Sequence, residues 1–204
     1  MTRVRKDPVE RRQEFITVAK ELFLAKGYEQ TMVQDICEAA GVAKGTFFYY
    51  FPTKDDVLQA IFEEWTHKFV ADYERKAEGL AAVEKLRLFL GLMGREYDVE
   101  KLIDELWDEH KKDLVLQIWQ RVLEQGFNPV LRAIIAQGNC EGSMQVKYMK
   151  ESMDFFWRLT DGIWPEEARD IDEAQMIVRE EMASRLMEYL LGMQAGDLAA
   201  PWRG

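Results

Sequence analysis

Histidine and cysteine are scarce in this chain, with two of each in 204 residues. Cys37 and Cys140 are too few and too far apart for a disulfide framework or a thiolate metal cluster. His67 and His110 belong to no HExxH pattern, and GxSxG, CxxC and the phosphate-cradling GxGxxG and GxxxxGK[ST] loops are all missing. The side chains that nucleophilic, acid–base or metal catalysis requires are therefore thinly supplied, and no cofactor is expected. Long apolar runs are absent too: the longest, Leu88 to Gly94, is less than half of the roughly 18 residues a membrane span needs. At the N-terminus Arg3, Arg5, Lys6 and Asp7 stand where a secretory signal would need an apolar core, so a cytoplasmic protein is expected. Alternating apolar and polar strand patterns, internal repeats and low-complexity tracts are also lacking.

The acidic excess is confined to one part of the chain. Residues 1–60 balance nine Lys/Arg against nine Asp/Glu, so the whole net charge of -10 lies beyond residue 60. Five of the first twelve residues are Lys or Arg and two are acidic. A neutral head with a basic tip can approach a phosphate backbone, while the acidic body is repelled by it.

Helical periodicity runs through the sequence. Phe15, Val18, Ala19, Leu22 and Phe23 recur on one helix face that Gly27 ends. Thr31 is placed to cap a short second helix carrying Ile36, Ala39 and Ala40, which stops at Gly41. A third helix starts near Ala43 or Lys44, turns Phe47 and Tyr50 inward, and ends at Phe51, because Pro52 disfavours helical geometry in the residue before it. Thr53 then caps a longer helix whose first turn holds Asp55 and Asp56 against the amide dipoles. Further helices are expected near 79–95, 99–120 with a possible break at His110, 126–138, 146–161 and 171–192, with Gly138, Gly142, Gly162 and Pro165 as breaks. The fold class is all-α: an N-terminal three-helix domain over 1–53, then a larger helical domain over 54–204.

Two short helices crossing around Ala39, Ala40 and Gly41, with Ile36, Val42, Phe47 and Phe51 as a small core, have the make-up of a helix-turn-helix. Lys44, Gly45, Thr46, Phe48 and Tyr49 are then left facing outward. Lys44 and the amides around it suit a phosphate or a guanine edge, and Gly45 lets the helix end come close to a groove. Thr46 offers a hydroxyl or a methyl to a base, Phe48 an apolar contact to a thymine methyl, and Tyr49 a phosphate contact. Lys54, at the start of the fourth helix, is another phosphate candidate. Elsewhere, Asp104, Asp108 and His110 lie close enough in sequence to suggest a divalent metal, but a solvated acidic face is the preferred reading.

Residues 31–54, TMVQDICEAAGVAKGTFFYYFPTK, resemble the DNA-binding signature of the TetR/AcrR family of transcriptional regulators. The resemblance is carried by Thr31, Ile36, Ala40, Gly41, Val42, Lys44, Gly45, Thr46, Phe47, Tyr49, Tyr50, Phe51 and Lys54, with Ala19, Phe23 and Gly27–Tyr28 upstream. Cys37 departs from the usual alanine, a small change in volume. Phe48 stands where tyrosine is common and lacks its hydroxyl. The resemblance implies a DNA-facing set of Lys44, Gly45, Thr46, Phe48, Tyr49, Lys54 and Thr31, to which the basic arm adds Arg3 and Arg5.

By the same resemblance the protein is expected to be a homodimeric repressor that binds double-stranded palindromic operator DNA and is released by a small, partly apolar effector, with no membrane partner. The last two helices are expected to pair with their symmetry mates through Phe156, Trp157, Ile177, Val178, Met182, Leu186, Tyr189 and Leu190. Met93, Tyr97, Trp107, Trp119, Phe127 and Tyr148 are the candidate walls of an effector cavity, a role that aromatic and methionine side chains suit. The same geometry would serve an activator. A helical enzyme or carrier with a merely structural N-terminal module is the rival, and it would show no sequence preference on DNA.

Overall fold

The computed structural model describes residues 7–93, 98–108, 111–163 and 172–199, and every regular element among them is helical. The helices are α1 (Pro8–Lys26), α2 (Val33–Ala39), α3 (Lys44–Tyr50), α4 (Lys54–Ala77), α5 (Ala82–Met93), α6 (Asp98–Asp108), α7 (Lys112–Val122), α8 (Asn128–Glu141), α9 (Met149–Ile163) and α10 (Glu173–Leu191). A five-residue π-helical segment, Leu123–Phe127, joins α7 to α8. The described residues form two compact units, one of the residues up to Lys68 with those from 98 to Leu123, the other of Phe69 to Met93 with those from Glu124 onward. The boundary between the two units falls inside α4.

In the first unit, Asp7 caps α1 by accepting the Val9 amide at 2.7 Å, and Pro8 occupies the first turn, where its missing N–H costs nothing. The buried face of α1 carries Phe15, Ile16, Ala19 and Phe23. Phe15 meets Phe47 edge to face at 5.4 Å and Phe51 at 6.3 Å, which ties α1 to the middle of α3 and to its C-cap. Ile36, Phe47 and Phe51 are fully or almost fully buried, and Val42 is half-buried. Ala39 is exposed and Ala40 half-buried, so the turn depends less on small residues in the crossing than on Gly41. At φ +65° Gly41 lies in the left-handed region, and its amide donates to the Glu38 carbonyl at 3.1 Å. A side chain there would be strained whatever the space around it.

The second unit has an aromatic centre. Phe127 lies 4.8 Å from Phe69, 5.7 Å from Phe89 and 6.0 Å from Trp157. The indole of Trp157 donates to Asn128 Oδ1 at 2.7 Å, which satisfies its one polar atom. α9 packs on α10, and the buried side of α10 carries Ala183, Ser184, Met187, Glu188 and Leu191. The Glu188 carboxylate accepts the amides of Gly196 (3.0 Å) and Leu198 (2.6 Å), pinning the C-terminal tail with Leu198 fully buried.

Several expected boundaries move. The α2 cap is Met32 rather than Thr31, and the helix expected at 79–95 begins at Ala82. The segment 99–120 is two helices, with His110 in the interval between them and outside the described residues. The helix expected from 146 starts at Met149, and Pro165 lies outside the described residues. Among the described residues, no helix is long and apolar enough to cross a membrane, and no group of three His, Cys, Asp or Glu could hold a metal ion. The side chain of Asp108 and all of His110 lie outside that set.

Candidate nucleic-acid interface

The interface is set by how α3 is rotated. Phe47 is fully buried, so its neighbours on the seven-residue helix are divided between core and solvent. Lys44 and Gly45 are exposed, Phe48 is 44% and Tyr49 81% exposed, and Thr46 is half-buried. The Lys44 ammonium sits 5.8 Å from the centre of the Phe48 ring, so cation and aromatic share one patch. Nothing lies within 4 Å of where a Gly45 side chain would begin, so the chain itself does not require glycine there. Of the five residues expected to face outward, four are exposed and Thr46 is half-buried.

Thr31 is not part of that surface. It is fully buried, with its hydroxyl donating to the Gly27 carbonyl at 2.7 Å, because the sharp exit from α1 leaves that acceptor unsatisfied. Thr31 therefore braces the loop between α1 and α2. In its place Asp35 accepts the Met32 amide at 2.7 Å, closing the N-terminus of α2. Lys26 lies 2.6 Å from the same carboxylate, and this pairing, with the Met32 amide behind it, holds the Asp35 carboxyl below the ordinary carboxylate range.

Lys54 also turns inward. Its ammonium donates to the Tyr28 carbonyl at 2.7 Å and the Thr31 carbonyl at 3.1 Å, and lies 4.0 Å from the centre of the Tyr28 ring. The Tyr28 hydroxyl hydrogen-bonds Asp55, so the N-terminus of α4 clasps the loop that positions α2. Glu29 in that loop pairs with Lys111 at 2.6 Å, and this hydrogen bond lowers the Glu29 carboxyl from its usual value. Sequence periodicity gave no sign of this clasp, because its acceptors are backbone carbonyls. Two of the three ammonium donors of Lys54 are engaged with carbonyls of nearly buried residues. Lys54→Met should therefore cost about 1–3 kcal/mol for the orphaned acceptors and lower Tm by roughly 3–10 °C. Thermal unfolding of the variant beside the parent protein checks this.

Arg3 and Arg5 lie outside the described residues, as does Tyr97. The other expected cavity residues do not converge. Trp119 stacks on Trp65 and half-buried Trp107 sits under Lys112, both in the first unit. In the second unit Phe127 is sealed in the aromatic centre, Met93 is half-buried and Tyr148 is 73% exposed. A cleft of about 440 Å³ does open in the second unit between the end of α4, α5, the π-helical segment and α8, but none of those six residues lines it. Large aromatic side chains were drawn into the core, where they bury the most area.

The expected pairing surface divides in the same way. Phe156 is fully buried and Trp157 almost so, both turned into their own unit; the exposed aromatic of α9 is Phe155, at 64%. On α10, Ile177, Val178, Met182, Leu186 and Tyr189 are 40–88% exposed, and Leu190 is half-buried. Val178, Met182, Leu186 and Tyr189 recur at helical spacing on the side of α10 away from its buried residues.

A short helix, a glycine-closed turn and a second short helix presenting a lysine beside exposed aromatics are the parts of a helix-turn-helix DNA-binding protein. Residues 15–61 match the family described as bacterial regulatory proteins, tetR family. Over 148 residues the chain is 30% identical to the fatty acid metabolism regulator protein of Bacillus subtilis, covering 69% of this chain and 72% of that one. The fold is shared with Salmonella enterica GusR, at a TM-score of 0.67 and 18% identity, over 92% of this chain and 98% of that one. It is shared as well with Bacillus subtilis FadR in complex with stearoyl-CoA, at a TM-score of 0.58 and 22% identity, over 88% and 97%. The chain belongs to the tetR family of bacterial regulatory proteins. It is a DNA-binding transcriptional regulator.

Proposed function

We propose that the protein is a homodimeric repressor that holds a palindromic operator through two copies of α3 and lets go when a small, partly apolar molecule binds its second unit. The observation that carries this reading is the split exposure of α3, with Phe47 fully buried while Lys44, Phe48 and Tyr49 face solvent. Lys44 and Tyr49 supply phosphate contacts, and Thr46 and Phe48 read base edges and thymine methyls. Gly45, with open space around it, is kept small for the sake of the groove rather than for the chain. Arg3 and Arg5 add cationic reach ahead of α1. One head bears few contacts, so specificity needs two heads spaced for successive major grooves, about 34 Å apart. The exposed stripe of α10 supports a pairing surface that would fix that spacing. Release is then a population shift, in which the effector fits the conformer whose heads are wrongly spaced.

DNA binding by fluorescence anisotropy at several salt concentrations tests the assignment. Lys44→Ala should reduce the salt slope by about 1.8, roughly 0.9 for each of the two heads, and leave thermal stability unchanged, since the side chain is exposed and outside the core. Thr46→Ala should shift preference at one base position. An unchanged slope for Lys44→Ala would remove α3 from the backbone contact. Because a protein of the same fold is described in complex with stearoyl-CoA, acyl-CoA thioesters belong in the first effector panel, read by loss of operator binding.

A further inference from the structure

Six lysines and arginines lie between Asp7 and Ala60, and their surroundings divide them sharply. Arg11 pairs with Glu14 and Lys26 with Asp35, Lys54 donates to two backbone carbonyls, and Lys20 is half-buried. The other two, Arg12 and Lys44, are exposed, and among the described residues neither meets a carboxylate. Each lies over an aromatic ring instead, Lys44 at 5.8 Å from the centre of Phe48 and Arg12 at 5.0 Å from the centre of Phe51. In sequence Arg11 and Arg12 look alike; the structure neutralises one and leaves the other charged.

The seat under Arg12 is rigid. Phe51 is the C-cap of α3, only 2% exposed, and held 6.3 Å from Phe15 and 5.8 Å from Phe47. A guanidinium lying on a ring uses its face, so the N–H donors along its edge stay available to an oxygen acceptor. Arg12 also adjoins the outward surface of α3. Tyr49 meets Tyr50 at 5.0 Å and Tyr50 meets Phe15 at 5.9 Å, and Phe15 is one turn along α1 from Arg12. The seven residues of α3 rise about 10 Å, less than the roughly 12 Å width of a major groove. A cation fixed at each end of such a helix can reach backbone phosphates at both borders of the groove.

We infer that Arg12 grips a DNA phosphate beside the C-terminal end of α3, opposite the contact made by Lys44. The guanidinium fork suits a phosphate, which it meets with two parallel hydrogen bonds. The inference rests on the reading of α3 proposed above and adds a positioning residue from α1. Because the contact is to backbone, Arg12 fixes how α3 sits in the groove and carries no base preference of its own.

Fluorescence anisotropy on a labelled 40-base-pair duplex recovered by selection from a random pool tests it, at several salt concentrations and with single-mismatch duplexes alongside. Arg12→Ala should weaken binding about five- to tenfold and lower the salt slope by about 1.8, roughly 0.9 from each head. The loss should be the same on matched and mismatched DNA, and Tm should move by no more than about 4 °C. Arg11→Ala removes the same charge from the same turn and should change the slope by well under one. Arg12→Lys should keep most of the slope and recover only part of the affinity, since an ammonium lacks the planar fork. An unchanged slope in Arg12→Ala, or an equal fall in Arg11→Ala, would overturn the inference, and so would a shift in base preference. If Lys44→Ala lowers the slope while Arg12→Ala does not, the reading of α3 stands and the Arg12 contact alone is lost. If neither variant changes it, both are overturned.

Discussion

Leu186→Glu should turn the protein into monomers or aggregates and abolish tight operator binding, with every DNA-facing side chain intact. Leu186 is 49% exposed at the centre of the α10 stripe, so glutamate is readily accepted by an isolated chain. In the proposed dimer the same residue is covered twice, once from each chain. Each unpaired buried carboxylate then costs several kcal/mol, about 2–7 for a polar group and more for a charge. That exceeds what a moderate interface can absorb. Sedimentation at micromolar concentration, alongside circular dichroism, reads the result. A folded Leu186→Glu protein that still sediments as a dimer would move the interface off this stripe.

Phe47→Ala should produce the reverse separation, losing DNA binding while keeping the dimer. Phe47 is fully buried, with Phe15, Phe48 and Phe51 around it at 5.4–5.8 Å. Removing the ring leaves a cavity that costs about 3–5 kcal/mol, a large share of the stability of an ordinary domain. The loss falls on the rotation of α3, because Phe47 sets which of its residues face outward. Operator affinity should drop at least tenfold, while sedimentation remains that of the parent protein. The two variants together assign DNA reading to α3 and pairing to α10. If Phe47→Ala bound the operator with parental affinity, the outward surface of α3 could not be the reading surface.

The DNA-binding helices were legible in the sequence because their determinants are local. Gly41 and Pro52 punctuate the chain, Thr53 and Asp56 cap α4 reciprocally, and the spacing of Phe47 and Phe51 shows which side of α3 faces the core. The bracing bonds of Lys54 and Thr31 were not legible, for the opposite reason. Both side chains satisfy carbonyls of the loop after α1, and a residue pattern does not reveal which backbone acceptors a tertiary turn leaves open. Apolar spacing located the stripe on α10, but it could not divide Phe155 from Phe156, since a one-residue step on a helix turns a side chain by about 100°.

Selection of bound DNA from a random duplex pool tests the central claim most directly, that two copies of α3 held by one rigid pairing read a two-fold site. The recovered sequences should contain an inverted repeat whose half-site centres lie about one helical turn, roughly 10 base pairs, or a multiple of it apart. That repeat should disappear with Leu186→Glu. A single unrepeated motif retained by Leu186→Glu, or no enrichment by the parent protein, would contradict it.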